Sequence, residues 1–250
     1  MSETPKSDET PIGGQRYLWS RPELLTPEEH GELGLSPCDA PFSFTATSRG
    51  IPLTMTEFQS AQRDYPVVFT DHDNPVPLAA VGLQEERNLF LDADGRWESG
   101  VYLPAYLRCH PFALAKADND RFAVVVDRDA PAVTENPQTP FFVDGQLSQP
   151  VRQAVEFCQA YDAETERTRE FCARLKELEL LVPQRMRQEG SEEDLVRYYA
   201  VSQEKLNALE TAEVDRLYRS GHLAAIFAHL FSLDLWNELL RRQMAAPVRD

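Results

Sequence analysis

The chain has 250 residues, of which 42% are hydrophobic and 10% aromatic, so it can bury a substantial core and is not globally disordered. It carries 25 Lys and Arg against 41 Asp and Glu, and the resulting net charge of −16 repels nucleic acids and anionic lipids. The longest apolar run, 223–236, is shorter than the roughly 20 residues of a membrane-spanning helix, so we expect neither nucleic-acid binding nor membrane insertion.

The N-terminal segments predict little regular structure. Residues 1–16 are rich in charge, proline and glycine and predict a disordered tail without the apolar core of a signal peptide. Residues 17–250 predict a single domain, with an irregular arm up to about residue 41, a strand-rich half over 17–146 and a helical half over 147–250.

The cysteines show no metal-ligand spacing and predict buried, reduced thiols in a cytoplasmic protein. They are Cys38, Cys109, Cys158 and Cys172.

In the strand-rich half, a short helix is predicted over 56–63, with Thr54 or Thr56 as its N-cap. Five short runs of β-type residues follow, and their brief connections favour one antiparallel sheet of about five or six strands. These runs are 67–70, 78–83, 88–91, 122–126 and 141–143. The sequence Asp92-Ala-Asp-Gly-Arg96 predicts a chain reversal, because Gly95 tolerates positive φ.

The helical half opens with apolar residues at 3-4 spacing between Val151 and Leu175, which predict a long helix over 149–181. This stripe suits either a helix packed on its own domain, which we favour, or a coiled coil with a partner helix. Pro183 is expected to stop the helix, and the polar residues 184–194 predict a loop.

The C-terminal residues predict two further helices. Thr211 is expected to cap a helix over 212–220, and Gly221 suits the left-handed position that closes it. A final helix over 222–244, apolar nearly all round in its first half, is expected to pack on the sheet. The predicted fold class is therefore α+β, with an antiparallel sheet in the N-terminal half packed with a helical C-terminal half.

The best candidate for a ligand site is a turn over 102–111 that is rich in aromatic residues and held by Pro104 and Pro111. It carries Tyr102, Tyr106 and Arg108, and Arg108 would suit a carboxylate or a phosphate. The alternative is structural: both tyrosines pack on the sheet, and Arg108 pairs with a surface acid.

His229 and Ser232 lie on one face of the final helix and are the second candidate pair. As a base and a nucleophile they would need an orienting carboxylate, but Asp234 points away from them. A satisfied, buried histidine–serine pair is therefore the favoured interpretation. The sequence holds no phosphate loop, dinucleotide fingerprint or nucleophile elbow, so we expect no catalytic constellation, no metal and no cofactor.

Several stretches, in this order and spacing, resemble the bacterial SapC family over roughly residues 42–242. They are 51–58, 63–69, 88–97, 102–108, 111–114, 168–175 and 221–233 with Trp236. The resemblance implies an accessory role linked to surface-layer loci, or to uptake or modification of a small molecule. It carries over no catalytic residue. The chain departs from the family pattern at His110 and His222, where aromatic residues are commoner.

Three functional hypotheses follow. The favoured one is a cytoplasmic, non-catalytic SapC-like accessory or binding protein with a protein partner or a small-molecule ligand. The second is an enzyme or enzyme subunit that acts on an amino-acid-like or peptide substrate, with the Tyr102–Arg108 turn, His229 and Ser232 in one cleft. The third is an interaction module whose 151–175 stripe pairs with another helix.

Overall fold

The computed structural model describes residues 16–83, 86–116, 122–187 and 194–245. The chain divides into two compact units. Unit 1 comprises Met1–Cys38 and Cys109–Gln159, and unit 2 comprises Asp39–Arg108 and Ala160–Asp250. The predicted tail falls outside the described residues, except for Arg16. The predicted α+β class is confirmed, with several antiparallel sheets, mostly N-terminal, and long helices later in the chain.

The described residues form these strands, in chain order: β1 Pro22–Leu24, β2 Leu33–Leu35, β3 Gly50–Pro52, β4 Val67–Phe69, β5 Pro77–Ala80, β6 Phe112–Lys116, β7 Phe122–Asp127, β8 Val133–Glu135, β9 Thr139–Pro140, β10 Phe142–Val143, β11 Gln146–Leu147, β12 Leu181–Arg187 and β13 Asp194–Val201. The α-helices are α1 Pro27–His30, α2 Phe58–Ala61, α3 Ala105–Cys109, α4 Gln149–Glu177, α5 Gln203–Asn207, α6 Thr211–Arg219, α7 His222–Ser232 and α8 Trp236–Ala245. Short 3₁₀ turns lie at Ser43–Thr45, Met55–Glu57 and Leu233–Leu235.

Unit 1 contains three small antiparallel sheets, with strand orders β1-β7-β6, β8-β2-β9 and β10-β11. Its core includes Phe112 and Phe141, whose rings meet edge to face with centroids 5.5 Å apart. The first turns of α4 belong to this unit and contribute the buried side chains of Val151 and Cys158.

Unit 2 is built on a five-stranded antiparallel sheet of order β12-β13-β4-β5-β3. The strand β4 is apolar throughout and buried, as befits a central strand. Helix α7 packs on β4 and β13, which confirms that the final helical region covers the sheet. Phe58, Phe69 and Phe171 form the aromatic centre of this core, with ring centroids 6.0–6.4 Å apart.

The single sheet expected from the sequence is wrong, because the strands divide among several sheets. The run 88–91 is also not a strand. The Asn88 amide donates to the Thr45 hydroxyl at 3.1 Å and accepts from the Phe90 N–H at 3.0 Å, so it directs the backbone into a turn. Only Leu91 pairs, in an isolated bridge to Trp97 across the predicted reversal, where Gly95 has φ +68°.

The predicted loop over 184–194 is wrong at 184–187 and at 194, which belong to β12 and β13, whereas 188–193 lie outside the described residues. These two strands form the longest hairpin among the described residues. Pro183 does not stop a helix but lies within β12, opposite Tyr199. The sequence 184–187 reads as polar because this hairpin is exposed on one side, with only Met186 buried along that stretch. An exposed strand with long charged side chains lacks the apolar alternation on which the prediction relied.

Helix α4 ends at Glu177, before the predicted residue 181. Glu179 adopts the left-handed conformation with φ +53°, and the Leu180 N–H donates to the Leu175 carbonyl at 2.9 Å, which closes the helix. The apolar stripe contributes buried side chains at Val151, Cys158, Thr168, Cys172 and Leu175. The stripe therefore packs within the chain, as the favoured alternative predicted, rather than offering a coiled-coil seam.

The final helix is interrupted where a continuous helix over 222–244 was expected. Gly221, with φ +78°, separates α6 from α7 as predicted, although Glu210 rather than Thr211 is the N-cap of α6. A 3₁₀ turn then separates α7 from α8. By length and hydropathy alone His222–Ala245 would suffice to cross a membrane, but buried core helices satisfy the same criterion. The expected absence of membrane insertion stays a prediction.

Candidate functional site

The predicted aromatic turn is an ordered part of unit 2, centred on the start of α3. The Tyr102 hydroxyl donates to Glu57 Oε1 at 3.0 Å, and Arg108 Nη2 donates to the Tyr102 hydroxyl at 3.3 Å. The Arg108 guanidinium also lies 5.9 Å from the centroid of the Tyr102 ring. Tyr106 turns to the Tyr161 ring of α4, with centroids 6.2 Å apart. Tyr102 and Arg108 are thus brought together, and Tyr106 lies against a helix.

Glu57 organises this turn, and sequence reasoning missed it. The carboxylate is 6% exposed and accepts four hydrogen bonds. Oε2 accepts from the backbone N–H and the hydroxyl of Thr54 at 2.7 and 2.9 Å, and Oε1 accepts from the Ala105 N–H at 2.6 Å as well as from Tyr102. Thr54-x-x-Glu57 is the spacing of a capping box, so a local signal for this residue existed.

The charge on Glu57 acts on Tyr102. Burial, followed by the adjacent negative charge of Glu57 and its hydrogen bond, raises the pKa of Tyr102 to about 12, although the Arg108 guanidinium opposes the shift. The phenol therefore stays protonated at neutral pH and serves as a donor to Glu57. This turn is a hydrogen-bonded connection that fixes the start of α3 against Thr54.

His229 lies between two strands of the unit 2 sheet and is fully buried. Its Nδ1 hydrogen bonds to the Val67 carbonyl of β4 at 2.7 Å, and its Nε2 accepts from the Val201 N–H of β13 at 3.0 Å. These bonds assign the neutral tautomer with the proton on Nδ1. The imidazole therefore replaces backbone pairing at the end of the β4–β13 ladder, whose one pair is Tyr199 with Phe69.

Ser232 secures the same strand. Its Oγ accepts from the Val67 N–H at 2.8 Å and donates to the His229 carbonyl at 2.6 Å. The side chains of His229 and Ser232 thus bind strand backbone, whereas Tyr102 is bound to Glu57 and Arg108 to Tyr102. The pair His229 and Ser232 and the pair Tyr102 and Arg108 both lie in unit 2, but the hydrogen-bond partners given for the two pairs are different.

The pH dependence of stability should reveal His229. Burial outweighs the hydrogen bond to Val67 and lowers the pKa of His229 to about 4. The unfolded chain therefore takes up this proton first, so stability is expected to fall by about 3 kcal/mol as the pH decreases from about 6.5 to about 4, and not to change through this group above about pH 7.

Chemical denaturation over this pH range would measure the effect, with His229→Phe as the reference that lacks the titrating group. The variant should show a shallower loss of stability than wild type. Equal slopes for the two proteins would contradict the assignment.

Unit 1 holds a carboxylate–histidine contact that sequence reasoning missed. His110 Nε2 lies 3.2 Å from Asp127 Oδ2, and both side chains are buried. Burial opposes ionisation of Asp127, but hydrogen bonds from His110 and from the N–H groups of Ser20 and Arg21 outweigh it and lower its pKa to about 2. Asp127 thereby ties residues 20–21 to the end of β7.

His222 packs against an aromatic ring, and three of the four cysteines are buried. His222 meets the Phe171 ring edge to face at 5.2 Å, and burial together with Arg174 lowers its pKa. None of the four cysteines forms a disulfide, and burial raises the pKa of the Cys172 thiol to about 12. Within the part of the chain that the structure describes, no group of three or more His, Cys, Asp or Glu side chains could hold a metal ion.

A largely apolar cleft in unit 2, which we call the Trp236 cleft, has a volume of about 410 Å³. It is lined by strands β3, β4, β5 and β13 and by the first residue of α8. The side chains that line it include Arg49, Leu78, Val196, Arg197, Tyr198 and Trp236. The cleft exists because β13 meets β4 only near Tyr199, so residues 195–198 extend beyond the shared ladder and form a separate wall.

An aromatic pair closes one side of the Trp236 cleft. The rings of Tyr198 and Trp236 lie 5.0 Å apart, and burial raises the pKa of the Tyr198 hydroxyl although the Trp236 indole N–H opposes the shift. The Tyr198 hydroxyl and the Trp236 indole N–H nevertheless do not meet the geometry of a hydrogen bond. The buried indole N–H therefore has no acceptor among the described residues. Buried donors without an acceptor are rare in native proteins. No sequence signal identified this cleft.

The SapC family model matches residues 25–239, which includes parts of both units. No curated protein and no solved structure matches the chain significantly.

Proposed function

The chain belongs to the SapC family, and from that premise we propose that it is a non-catalytic binding protein that holds a small, largely apolar molecule in the Trp236 cleft. The observation that carries the proposal is the cleft itself, with apolar strand residues on its floor and the Tyr198–Trp236 pair on its side. Its volume of about 410 Å³ lies within the roughly 300–1,000 Å³ typical of small-molecule sites.

The non-catalytic role is supported by how the candidate nucleophile is used. A serine nucleophile needs a hydroxyl that is hydrogen-bonded to its base. Ser232 Oγ instead donates to the backbone carbonyl of His229 and accepts from the Val67 N–H, while both ring nitrogens of His229 bond to strand backbone. These bonds favour the binding role over the enzyme alternative.

The proposed setting is the cytoplasm, where the protein would act as an accessory factor in the uptake or modification of its ligand. Four cysteines that form no disulfide, three of them buried, suit a reducing compartment. The excess of acidic residues suits a protein whose partners are small molecules or proteins rather than nucleic acids.

Titration with N-phenyl-1-naphthylamine, a neutral probe whose fluorescence rises in apolar sites, would test the proposal. We expect one saturable site in the wild type. Val196→Trp fills the cleft and should weaken binding at least about tenfold, since the probe loses its contacts with the floor.

Val143→Trp is the matched control, because Val143 is 51% exposed in unit 1 and does not line the cleft. It should bind the probe like wild type. The absence of a saturable site, or equal affinity in Val196→Trp and wild type, would contradict the proposed function.

A further inference from the structure

The charges that line the Trp236 cleft differ from those of the whole chain. Acidic residues outnumber basic ones by 41 to 25 in the sequence. The described lining residues nevertheless include two arginines, Arg49 and Arg197, and no aspartate or glutamate. A cation beside an apolar cavity attracts a ligand with a negative group, because the weakly solvated surroundings strengthen the interaction.

The two arginines are not equivalent. Arg197 Nε donates to Asp194 Oδ2 at 2.9 Å, so its guanidinium is already directed to a protein carboxylate, which it shares with Arg185 and Arg187. Arg49 donates only a long bond of 3.5 Å to the Leu83 carbonyl, and no described carboxylate lies within ion-pair distance of it. Its side chain is exposed, and most of its five N–H donors have no described protein acceptor.

From this arrangement we propose that the ligand of the Trp236 cleft is an anion with an apolar body, whose carboxylate or similar group binds the guanidinium of Arg49 while the body lies against Leu78, Val196 and the Tyr198–Trp236 pair. This inference rests on the proposed function and adds the chemical class of the ligand. Arginine binds such groups with paired hydrogen bonds, and the aromatic pair supplies a flat apolar surface.

A matched pair of probes separates the two claims. 8-Anilino-1-naphthalenesulfonate has nearly the same aromatic body as N-phenyl-1-naphthylamine but carries a sulfonate. At low ionic strength the wild type should bind the anionic probe about tenfold more tightly than the neutral one. Raising the salt concentration should reduce that preference, because the interaction at Arg49 is partly screened.

Arg49→Gln should abolish the preference and leave the affinity for the neutral probe unchanged. The matched control is Arg63→Gln, which makes the same change in net charge. Arg63 is likewise exposed and donates one bond of 3.5 Å to a backbone carbonyl, that of Ser60, but does not line the cleft. It should retain the preference of the wild type.

Anilinonaphthalene probes also bind exposed apolar surface, so a second control is needed. Phe227 and Phe231 of α7 stack with centroids 6.0 Å apart beside a groove with Met55, and both are exposed. Phe231→Ser should remove probe binding at that groove without changing the preference for the anionic probe that depends on Arg49.

The outcomes distinguish the two proposals. Loss of anion preference in Arg49→Gln but not in Arg63→Gln supports the inference. Saturable, Val196-dependent binding of the neutral probe with no anion preference, or with the same preference in both arginine variants, overturns the inference and leaves the proposed function standing. Failure of the neutral probe to bind, or binding that Val196→Trp does not change, overturns both.

Discussion

His229→Phe is expected to lower the free energy of unfolding by about 3–5 kcal/mol, the largest effect of any single substitution considered for this chain. Phenylalanine preserves the ring and its edge-to-face contact with Phe69, whose centroid lies 5.2 Å from that of His229. It removes both ring nitrogens, however. The Val67 carbonyl and the Val201 N–H, each in a buried residue, would then lose their hydrogen-bond partner.

The cost arises from unsatisfied backbone groups rather than from lost volume. Each buried donor or acceptor left without a partner costs about 1–3 kcal/mol, and the described ladder between β4 and β13 pairs only Tyr199 with Phe69, so strand pairing does not replace the two lost bonds. Guanidinium denaturation followed by circular dichroism would measure the change.

His222→Phe provides the matched control, because it makes the same substitution on the same helix. His222 packs on the Phe171 ring and is only partly buried, so an aromatic replacement should change stability by less than about 1 kcal/mol. If His229→Phe were as stable as His222→Phe, the role of His229 as a bridge between strands would be wrong.

This bridge connects stability with the proposed site. Val67 and Val201, which His229 joins, lie on the same two strands as Val68 and Val196, which line the Trp236 cleft. Where the β4–β13 ladder ends, His229 of α7 completes the backbone hydrogen bonds. The preceding residues of β13, 195–198, extend beyond the ladder and form a wall of the Trp236 cleft. The histidine therefore has a structural role that its position on an apolar helix had suggested.

The sequence predicted features that depend on local chemistry. Gly221 was identified as a left-handed closing residue and Gly95 as part of a reversal, because each requires a backbone conformation that glycine adopts easily. Pro104 and Pro111 marked the predicted turn, and the short helix α3 lies between them, since proline restricts the residues around it.

Features that depend on distant partners were not predicted. The β12–β13 hairpin has a polar exposed side, so its residues resemble a loop until their pairing is known. The Trp236 cleft unites residues from 49 to 236, and no local pattern indicates that Arg49 and Trp236 share a cavity. Glu57 had a local signal in the capping-box spacing, but its bonds to Tyr102 and Ala105 span 45 and 48 positions.

Glu57→Gln is expected to lower the free energy of unfolding by about 2–4 kcal/mol, the second large effect. The carboxylate accepts from four donors, whereas an amide offers one oxygen and places an NH₂ group where the other oxygen stood. Whichever way the amide turns, this NH₂ faces donors: the Thr54 N–H and hydroxyl on one side, or the Ala105 N–H and the Tyr102 hydroxyl on the other. The phenol can rotate to accept, but a backbone N–H cannot.

Glu204→Gln is the control for Glu57→Gln, because Glu204 is an exposed residue in the first turn of α5 and should change stability by less than about 0.5 kcal/mol. Native-state hydrogen exchange supplies a local measurement that overall destabilisation does not imitate. Relative to neighbouring core amides, at least one of the Thr54 and Ala105 amides should exchange faster in Glu57→Gln, since the amide that faces the new NH₂ group loses its acceptor. Unchanged protection of both amides would show that the start of α3 does not depend on Glu57, and the Tyr102–Arg108 turn would then need another source of order.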